Sequence, residues 1–493
     1  MHSATRFGDP LARYSNALRA CVSNPYPSAQ RALDYLSPEP ARGARSGKMG
    51  SMSRLFGTDG VRGVANRDLT PELVLILGRA AGLVLAPDGG EIVVGRDTRL
   101  SGPMLEGALL AGLSSAGVEV ALAGVIPTPA VAFLTVDRAA RAGAMISASH
   151  NPVPDNGVKF FSDDGFKTFT ETEDAIEQEM QAPALELPTG EKLGRIVRLE
   201  DAASHYVEHL LESTGADLEG LKLVVDCAFG AAHAVGPQAF RAAGAEVVAI
   251  NDEPDGSRIN VDCGSTSLEG VARRVVEEKA DLGLAFDGDA DRVLAVDEHG
   301  DEVDGDRILG LTALRLKEQG ALGGDVVVVT VMSNLGFIKG LEARGVEVRT
   351  APVGDKFVAE AMRETGAVLG GEQSGHIIFS HHATTGDGVL AGLQVACTLT
   401  GSGEPMSRLA HFFEPYPQVL ISVPVNDRGG LEQAHALWEE VEAVEKGLGQ
   451  EGRVLLRASG TEPVVRVMVE AAAADDARRA AEGLAEAVRK ALG

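Results

Sequence analysis

A six-residue segment with three acidic side chains has the clearest chemical meaning in this sequence. Residues 287–292 read Asp-Gly-Asp-Ala-Asp-Arg, so a carboxylate recurs at every second position. Three anions in one tight loop repel one another, and this spacing therefore indicates a bound cation. Carboxylate oxygens are hard ligands, which favour Mg²⁺ or Ca²⁺. The sequence predicts that Asp287, Asp289 and Asp291 bind a divalent metal ion, with a substrate or phosphate oxygen as a further ligand.

An EF-hand is the main alternative for this segment. Its first, third and fifth positions are aspartates, and Glu298 falls at the twelfth position. The sixth position, however, is Arg292 where the EF-hand turn requires glycine, and the flanking residues have the apolar pattern of strands. We therefore expect a metal-binding loop between two strands.

Residues 147–152 read Ser-Ala-Ser-His-Asn-Pro and contain a candidate nucleophile. Ser149 follows a short apolar stretch that is predicted to be a strand, and α/β folds place their ligand chemistry just beyond strand ends. An ordinary serine-rich turn fits the same residues, because Asn151 followed by Pro152 is typical of turns. His150 is not assigned as a base, since adjacent residues in a loop often point in opposite directions.

Two further segments combine glycines with polar side chains. Residues 371–376, Gly-Glu-Gln-Ser-Gly-His, suit the hydroxyls or amine of a sugar, because glycines let the backbone approach a ligand. Residues 457–461, Arg-Ala-Ser-Gly-Thr, suit a phosphate, which an arginine, hydroxyls and backbone N–H groups can cradle. A polar turn in the first segment and a hairpin turn in the second are the alternatives. Basic residues in other short loops add positive charge at 56–63, 95–99 and 354–356.

Alternating strands and helices must position these loops. Apolar runs and helical patterns alternate from Leu55 onward, which is typical of parallel α/β units with crossover helices. The predicted strands are residues 91–94, 118–123, 222–226, 246–250, 325–332, 346–349, 418–423, 453–457 and 464–469. We expect three similar α/β domains with mixed, mainly parallel sheets and a C-terminal α+β domain around a central cleft.

Each expected domain carries one of the candidate loops. The serine loop lies in residues 54–202, the metal loop in 203–302, the sugar-recognition loop in 303–416 and the phosphate site in 417–493. A nucleophile, a metal loop, a hydroxyl-binding loop and a separate phosphate site together favour phosphoryl transfer on a sugar phosphate.

Residues 1–53 differ from the rest of the chain. The first 48 residues hold seven basic against three acidic residues, five prolines and little apolar periodicity. We expect either a disordered extension or a non-native one. In the second case the sequence has been read from an upstream start codon, and translation begins at Met49 or Met52. An organellar transit peptide is a less favoured alternative, and the lack of an apolar core argues against a secretory signal.

Composition narrows the class of partner. The 493 residues are 44% hydrophobic, which is typical of a globular protein. Their net charge of −26 disfavours nucleic acid and anionic membranes as partners. No apolar run reaches the roughly 18 residues that span a bilayer. Four widely spaced cysteines without a Cys-x-x-Cys pair are typical of reduced thiols in a cytoplasmic protein.

Five motifs in order along the chain resemble those of the α-D-phosphohexomutases, from about Arg54 to the end. The motifs are residues 56–60, 147–152, 287–292, 371–376 and 457–463. Gln373 and the segment at 56–63 look most like the bacterial branch that acts on glucosamine phosphates. A methionine at position 373 would look more like the branch for mannose and glucose phosphates. Ala458 stands where the family usually has proline, a departure that affects loop stiffness more than phosphate binding.

The resemblance implies an isomerase that works through a phosphoserine. Ser149 would give its phosphoryl group to glucosamine 6-phosphate. The resulting glucosamine 1,6-bisphosphate, which is the intermediate and also the activator, would return its other phosphate and leave glucosamine 1-phosphate. This reaction would serve UDP-N-acetylglucosamine and peptidoglycan synthesis in the cytoplasm. The resemblance also implies Mg²⁺, held by the phosphoserine oxygen with the three aspartates, and a homodimer is common in this branch.

Roles for the remaining motif residues follow from the same resemblance. Those near the reacting phosphoryl group would supply positive charge or handle the hydroxyl proton, and the others would bind substrate. They are Arg62, Lys159 and Arg292 as cations, Lys159 and His376 for the proton, Glu372 and Ser374 for the sugar hydroxyls, and Arg457, Ser459, Gly460 and Thr461 for the non-reacting phosphate.

Three other functions are compatible with parts of this pattern. A sister mutase acting on mannose or glucose phosphates would use the same mechanism. A metal-dependent sugar phosphatase would use the same serine and aspartates, but a hydrolase has no need of the separate phosphate site at residues 457–461. A non-catalytic sugar-phosphate sensor is disfavoured by the complete set of nucleophile and metal-binding carboxylates.

Overall fold

The computed structural model describes residues 54–57, 59–182, 186–426, 428–459 and 463–493. It divides into two compact units. The first unit comprises the chain up to Glu302 together with Ile377–Cys397, and the second comprises Val303–His376 and Thr398–Gly493. Two elements contain residues of both units: the strand β11 (Glu302–Val303) and the helix α11 (Gly388–Ser402).

A six-stranded sheet with the order β1-β5-β4-β2-β3-β6 begins the first unit. Its strands are β1 (Val61–Val64), β2 (Glu91–Arg96), β3 (Glu119–Val125), β4 (Ala142–Ile146), β5 (Asp155–Ser162) and β6 (Ile196–Arg198). Its helices are α1 (Pro71–Leu85), α2 (Gly102–Ser115), α3 (Thr128–Asp137) and α4 (Thr170–Met180). The pairs from β4 through β2 and β3 to β6 are parallel, whereas β5 runs antiparallel to both β1 and β4.

A second sheet of the first unit has parallel strands and one antiparallel hairpin. Its strands are β7 (Lys222–Asp226), β8 (Glu246–Ile250), β9 (Leu282–Phe286) and β10 (Val293–Val296), and its helices are α5 (Ala202–Thr214), α6 (Ala232–Ala242) and α7 (Glu269–Glu278). β7 pairs in parallel with β8 and β9, and β10 returns antiparallel to β9 with Val293 opposite Phe286. This register closes the base of the loop at residues 287–292. The strand β15 (Ile377–Phe379) also belongs to this unit.

The second unit contains a parallel sheet and an antiparallel one. In the first, β12 (Val326–Thr330) lies in parallel between β13 (Glu347–Ala351) and β14 (Leu369–Gly371). In the second, β18 (Val464–Ala471) lies antiparallel between β16 (Gln418–Pro424) and β17 (Gly452–Ala458). The helices are α8 (Gly305–Glu318), α9 (Leu335–Glu342), α10 (Asp355–Thr365), α12 (Met406–Leu409), α13 (His435–Leu448) and α14 (Ala474–Leu492).

The predicted fold class is confirmed: three mainly parallel α/β sheets precede an antiparallel α+β sheet. Each predicted strand is a strand in the structure, and those at residues 222–226 and 246–250 have the predicted bounds. Both are short apolar runs. The strand at 222–226 is buried along most of its length, as expected of a central strand covered on both faces, whereas the strand at 246–250 lies at the edge of its sheet and is only partly buried. The prediction that residues 287–292 form a loop between two strands is also confirmed, because β9 and β10 flank them, whereas metal binding by this loop stays a prediction.

Helices α1 and α2 lie in close contact, and glycines allow it. A Cβ atom on Gly78 of α1 would be 2.7 Å from the carbonyl oxygen of Leu109. A Cβ atom on Gly112 of α2 would overlap the carbonyl oxygen of Leu75. The apolar side chains of both helices then join the fully buried core on one face of the first sheet.

Two Gly→Ala substitutions in α2 should shift stability in opposite directions. Gly112→Ala should destabilise the protein by about 1–3 kcal/mol, because the methyl group forces the helices apart. Gly107 is exposed and has no atom within 4 Å of an added Cβ. Gly107→Ala should therefore stabilise by about 0.5–1 kcal/mol, since alanine is the better helix former. Urea unfolding monitored by circular dichroism measures both, and shifts of the same sign would contradict this account of the helix contact.

Candidate functional site

Ser149 lies three residues beyond the end of β4, and its side chain is buried. Its backbone φ is 51°, in the left-handed region that serine rarely adopts. Its carbonyl oxygen accepts hydrogen bonds from Arg99 Nη2 at 2.8 Å and Asn260 Nδ2 at 2.9 Å. Gly288 also approaches this oxygen so closely that a Cβ atom there would lie 2.7 Å away. The serine loop is therefore packed directly against the metal loop.

The Ser149 hydroxyl faces two groups that could accept its proton. Its Oγ donates to Asp287 Oδ2 at 2.6 Å and lies 3.1 Å from His150 Nδ1. The adjacent histidine thus contacts the serine, which the sequence did not establish. Burial and the nearby Arg292 and Arg62 lower the pKa of His150 to about 4. The imidazole is therefore neutral near neutral pH.

Asp287, Asp289 and Asp291 come together at the turn between β9 and β10. Each offers an oxygen within 4.8 Å of the others, and all three are buried. Asp289 Oδ1 and Asp291 Oδ1 are buried without a hydrogen-bond partner. Hard, anionic oxygens without partners are the ligands that a divalent cation such as Mg²⁺ requires, so these residues fit a metal ion.

A single lysine stabilises part of this negative charge. Lys159 Nζ of β5 is buried 2.8 Å from Asp289 Oδ2 and 3.4 Å from Asp291 Oδ2. Burial alone lowers the pKa of Lys159, but Asp289, Asp59 and Asp291 outweigh this effect and raise it. Burial alone raises the pKa of Asp289, but Lys159 and a 2.5 Å hydrogen bond from Thr128 Oγ1 lower it.

The pKa of Asp287 shifts in the opposite direction to that of Asp289, because the Lys159 ammonium contacts Asp289 and Asp291 but not Asp287. Burial, followed by repulsion from Asp291 and Asp289, holds the pKa of Asp287 well above its usual range, although Arg292 and Ser149 act against this shift. Burial and repulsion thus act on Asp287 in the opposite direction to the net effect on Asp289.

Two predicted arginines border this cluster. Arg62 of β1 contacts Asp59 and donates from Nη1 to Asn151 Oδ1 at 3.3 Å. Arg292 donates from its backbone N to Asp287 Oδ1 at 3.2 Å, and its Nε lies 3.9 Å from Asp291 Oδ1. The structure thus brings Ser149, the three aspartates, Lys159, Arg62 and Arg292 into one site within the first unit.

The predicted sugar-binding residues form a separate group in the second unit, just after β14. Glu372 Oε1 accepts from the backbone N of Gly354 at 3.1 Å, and Glu372 Oε2 accepts from Ser374 Oγ at 3.3 Å. His376 is buried with Nε2 3.5 Å from Asp355 Oδ2. Gln373 Nε2 donates to Asp304 Oδ2 at 3.2 Å. The loop is therefore held by an internal side-chain hydrogen bond and by contacts with Asp304, Gly354 and Asp355, so the predicted basic loop at 354–356 is part of the same group.

The predicted phosphate site lies at the end of β17. Arg457 faces Arg466 directly across the β17–β18 pair. Burial and Arg466 lower the pKa of Arg457, whereas the nearby Glu372 acts in the opposite direction. The backbone N of Ser459 donates to the carbonyl of Val464 at 2.9 Å, which closes the loop. Gly460 and Thr461 lie outside the described residues, as do Thr58 and residues 1–53.

Sequence reasoning missed four residues of the serine–metal site. Asp97 and Arg99 were part of a loop predicted only to add positive charge, whereas both are fully buried and pair with each other at 3.0 Å. Thr128 and Asn260, which bind Asp289 and Ser149, carry no signal of their own. Only the Gly-Arg-Asp-Thr-Arg pattern at residues 95–99, with charges of both signs next to a strand, could have suggested an internal ion pair.

Comparisons with known proteins cover almost the whole described chain. Residues 53–186, 204–300, 304–416 and 420–487 match the phosphoglucomutase/phosphomannomutase family models for α/β/α domains I, II and III and the C-terminal domain. The phosphoglucosamine mutase of Salinispora tropica is 53% identical over 447 residues, which is 89% of this chain and 99% of that protein.

Solved structures share the fold. A phosphoglucomutase/phosphomannomutase family protein from Burkholderia thailandensis superposes with a TM-score of 0.75 at 27% identity, over 89% of this chain and 98% of that one. The N-acetylphosphoglucosamine mutase of Aspergillus fumigatus was solved with GlcNAc-6P and magnesium. It superposes with a TM-score of 0.67 at 19% identity, over 95% of this chain and 100% of that one. Among the described residues of the present chain, no helix is both long and apolar enough to cross a membrane.

Metal binding at the aspartates should stabilise the protein in a pH-dependent way. Mg²⁺ that binds only the folded state adds about 2.7 kcal/mol when it is present at about 100 times its Kd. Asp287, whose pKa is raised by burial, keeps its proton at low pH, and the cation must displace that proton. The Mg²⁺-induced rise in Tm should therefore shrink as the pH is lowered through this raised pKa. Differential scanning calorimetry with Mg²⁺ or EDTA measures it.

A matched pair of substitutions assigns this effect to the loop. Asp289→Asn removes one of the partnerless oxygens and should abolish the Mg²⁺-induced rise in Tm. Asp301→Asn, on an exposed turn beyond β10, should keep the full rise. An equal Mg²⁺ effect in both variants would place the ion elsewhere.

Proposed function

The chain belongs to the phosphoglucomutase/phosphomannomutase family, and we propose that within it the protein acts as a phosphoglucosamine mutase. The reaction interconverts glucosamine 6-phosphate and glucosamine 1-phosphate, as a step towards UDP-N-acetylglucosamine. Homologues at about 52% identity are phosphoglucosamine mutases, and they indicate an isomerase.

The observation that carries this proposal is the contact between the serine and the carboxylates. Ser149 Oγ donates to Asp287 Oδ2 at 2.6 Å beside a group of aspartates that fits a metal ion. We propose that Ser149 is phosphorylated in the resting enzyme and gives its phosphoryl group to the free hydroxyl of the sugar phosphate. The 1,6-bisphosphate formed then returns the other phosphate to Ser149.

Asp287, Asp289 and Asp291 would hold Mg²⁺ in this enzyme together with the phosphoserine. A bound Mg²⁺ neutralises charge on a transferring phosphoryl group. Magnesium is present in the fungal N-acetylphosphoglucosamine mutase structure that has the same fold.

The cationic residues around Ser149 have complementary roles in the proposal. Lys159, protonated because its pKa is raised, and the bordering Arg62 and Arg292 attract the phosphoryl oxygens. The sequence offered Lys159 and His376 as candidates for the proton of the attacking hydroxyl. A Lys159 that stays protonated cannot accept this proton, so we propose His376 for that role. Asp355, 3.5 Å from His376 Nε2, would orient that imidazole.

The second unit supplies the proposed substrate contacts. Glu372 and Ser374 would bind the sugar hydroxyls, and Arg457, Ser459, Gly460 and Thr461 would hold the phosphate that is not transferred. Arg466 adds a second guanidinium opposite Arg457, and two facing cations favour a bound anion. A phosphatase would not need this second phosphate site, which is why we favour a mutase.

Other parts of the sequence prediction stay predictions. They are the domain boundaries 54–202, 203–302, 303–416 and 417–493, the cytoplasmic location and the homodimer. The sister mutase for glucose and mannose phosphates is the remaining alternative, because it differs only in how the substituent on sugar carbon 2 is bound.

A kinetic comparison tests the function. Three substrates are compared in the presence of Mg²⁺ and a catalytic amount of glucose 1,6-bisphosphate: glucosamine 6-phosphate, glucose 1-phosphate and mannose 1-phosphate. We expect kcat/KM to be highest for glucosamine 6-phosphate. Ser149→Ala should lower kcat more than about a thousandfold, because the phosphoryl carrier is lost. Ser204→Ala, an exposed serine in α5, is the control and should be as active as the wild type.

Each outcome has a separate meaning. A preference for glucose or mannose phosphate would overturn the substrate and keep the mechanism. Undiminished turnover by Ser149→Ala would overturn the mechanism itself.

A further inference from the structure

Ser149 adopts a left-handed backbone conformation, with a φ of 51°, in a segment with no glycine to absorb strain. L-amino acids adopt this region routinely only when neighbouring groups enforce it. The conformation determines where Oγ points, and Oγ points at Asp287. Whatever enforces this backbone therefore controls the reacting atom.

Arg99 holds the serine loop from within the core. Its side chain is completely buried. Nη2 donates to the carbonyl oxygens of Ser149 and Asn151, both at 2.8 Å. Nη1 donates to those of Pro152 at 2.7 Å and Asp155 at 3.0 Å. One guanidinium thus binds four backbone carbonyls of a single loop.

The same network reaches the amide of Ser149. The fifth guanidinium N–H of Arg99, on Nε, donates to Asp97 Oδ2 at 3.0 Å. Asp97 Oδ2 also accepts from Ser147 Oγ at 2.7 Å, and Ser147 Oγ accepts from the backbone N of Ser149 at 2.8 Å. Asp97 and Ser147 are buried as completely as Arg99. Both backbone polar atoms of Ser149 are therefore fixed by one chain of hydrogen bonds.

We propose that Arg99 is the positioning residue of the serine loop, which keeps Ser149 left-handed so that Oγ faces Asp287. The inference rests on the proposed mutase function and adds a residue to it. Arginine is required because all five of its N–H donors are used in a planar fork. Lysine keeps the charge beside Asp97 but has three donors on a single nitrogen, which cannot bridge four carbonyls and a carboxylate.

Arg99→Lys tests the proposal by separating kcat from KM. We expect kcat for glucosamine 6-phosphate to fall about a hundredfold, because an ångström-scale misplacement of a reacting group has an effect of that size. KM should stay near the wild-type value, because the proposed sugar-binding residues are unchanged. Hydrogen exchange of the Ser149 amide, followed by mass spectrometry at equal phosphorylation states, should become faster.

Arg138→Lys is the matched control. Arg138 also forms a forked ion pair, with Glu91 at 2.7 and 2.8 Å, but on the surface of the same unit. Its loss should change neither kcat nor exchange of the serine loop.

Ser147→Ala gives a second test should Arg99→Lys fail to fold. It removes one hydroxyl between Asp97 and the Ser149 amide, and kcat should fall with faster amide exchange. A folded Arg99→Lys variant with the kcat and amide exchange of the wild type would overturn the proposal. If Arg99→Lys does not fold, the same result in Ser147→Ala would overturn it. If the wild type lacks mutase activity, the function fails, and the exchange data alone decide whether Arg99 positions the loop.

Discussion

The buried ion pair between Lys159 and Asp289 is the interaction on which the rest of the serine–metal site depends. Three carboxylates withdrawn from water repel one another, and isolated buried charges are strongly destabilising unless they are paired. Lys159 supplies a buried cation that contacts two of them, at 2.8 and 3.4 Å. Lys159 belongs to β5 of the first sheet and the aspartates to the β9–β10 turn of the second, so the pair requires these sheets to meet.

Unequal pairing within the aspartate group gives its members different chemistry. Asp289 has Lys159 and Thr128 as partners and is held ionised, with a lowered pKa. Asp287 faces the serine hydroxyl instead, and burial raises its pKa. The site therefore combines a permanent anion with a group whose charge depends on a cation or a proton. This arrangement suits a site that must accommodate both a metal ion and a highly charged phosphoryl group.

In the second unit, hydrogen bonds and strand register fix the groups that we propose bind the substrate. Glu372 is held by the backbone of Gly354 and by Ser374, and its charge acts on the partly buried Arg457. Arg457 and Arg466 face each other because the antiparallel register of β17 and β18 puts them opposite. Their mutual repulsion is relieved when an anion lies between or beside them, which is the physical argument for the proposed phosphate site.

The sequence alone determined the fold class and supplied the residues of the proposed chemistry. Continuous apolar runs such as residues 222–226 predict buried parallel strands, since strands covered on both faces lack polar alternation. The regular spacing of Asp287, Asp289 and Asp291 predicted a metal-binding loop, because repulsion makes that pattern costly without a cation, and the structure brings the three carboxylates together. Only tertiary structure decided the roles of Arg99, Thr128 and Asn260. Their partners lie 50, 161 and 111 positions away in the sequence, and no local pattern encodes a contact that folding alone brings about.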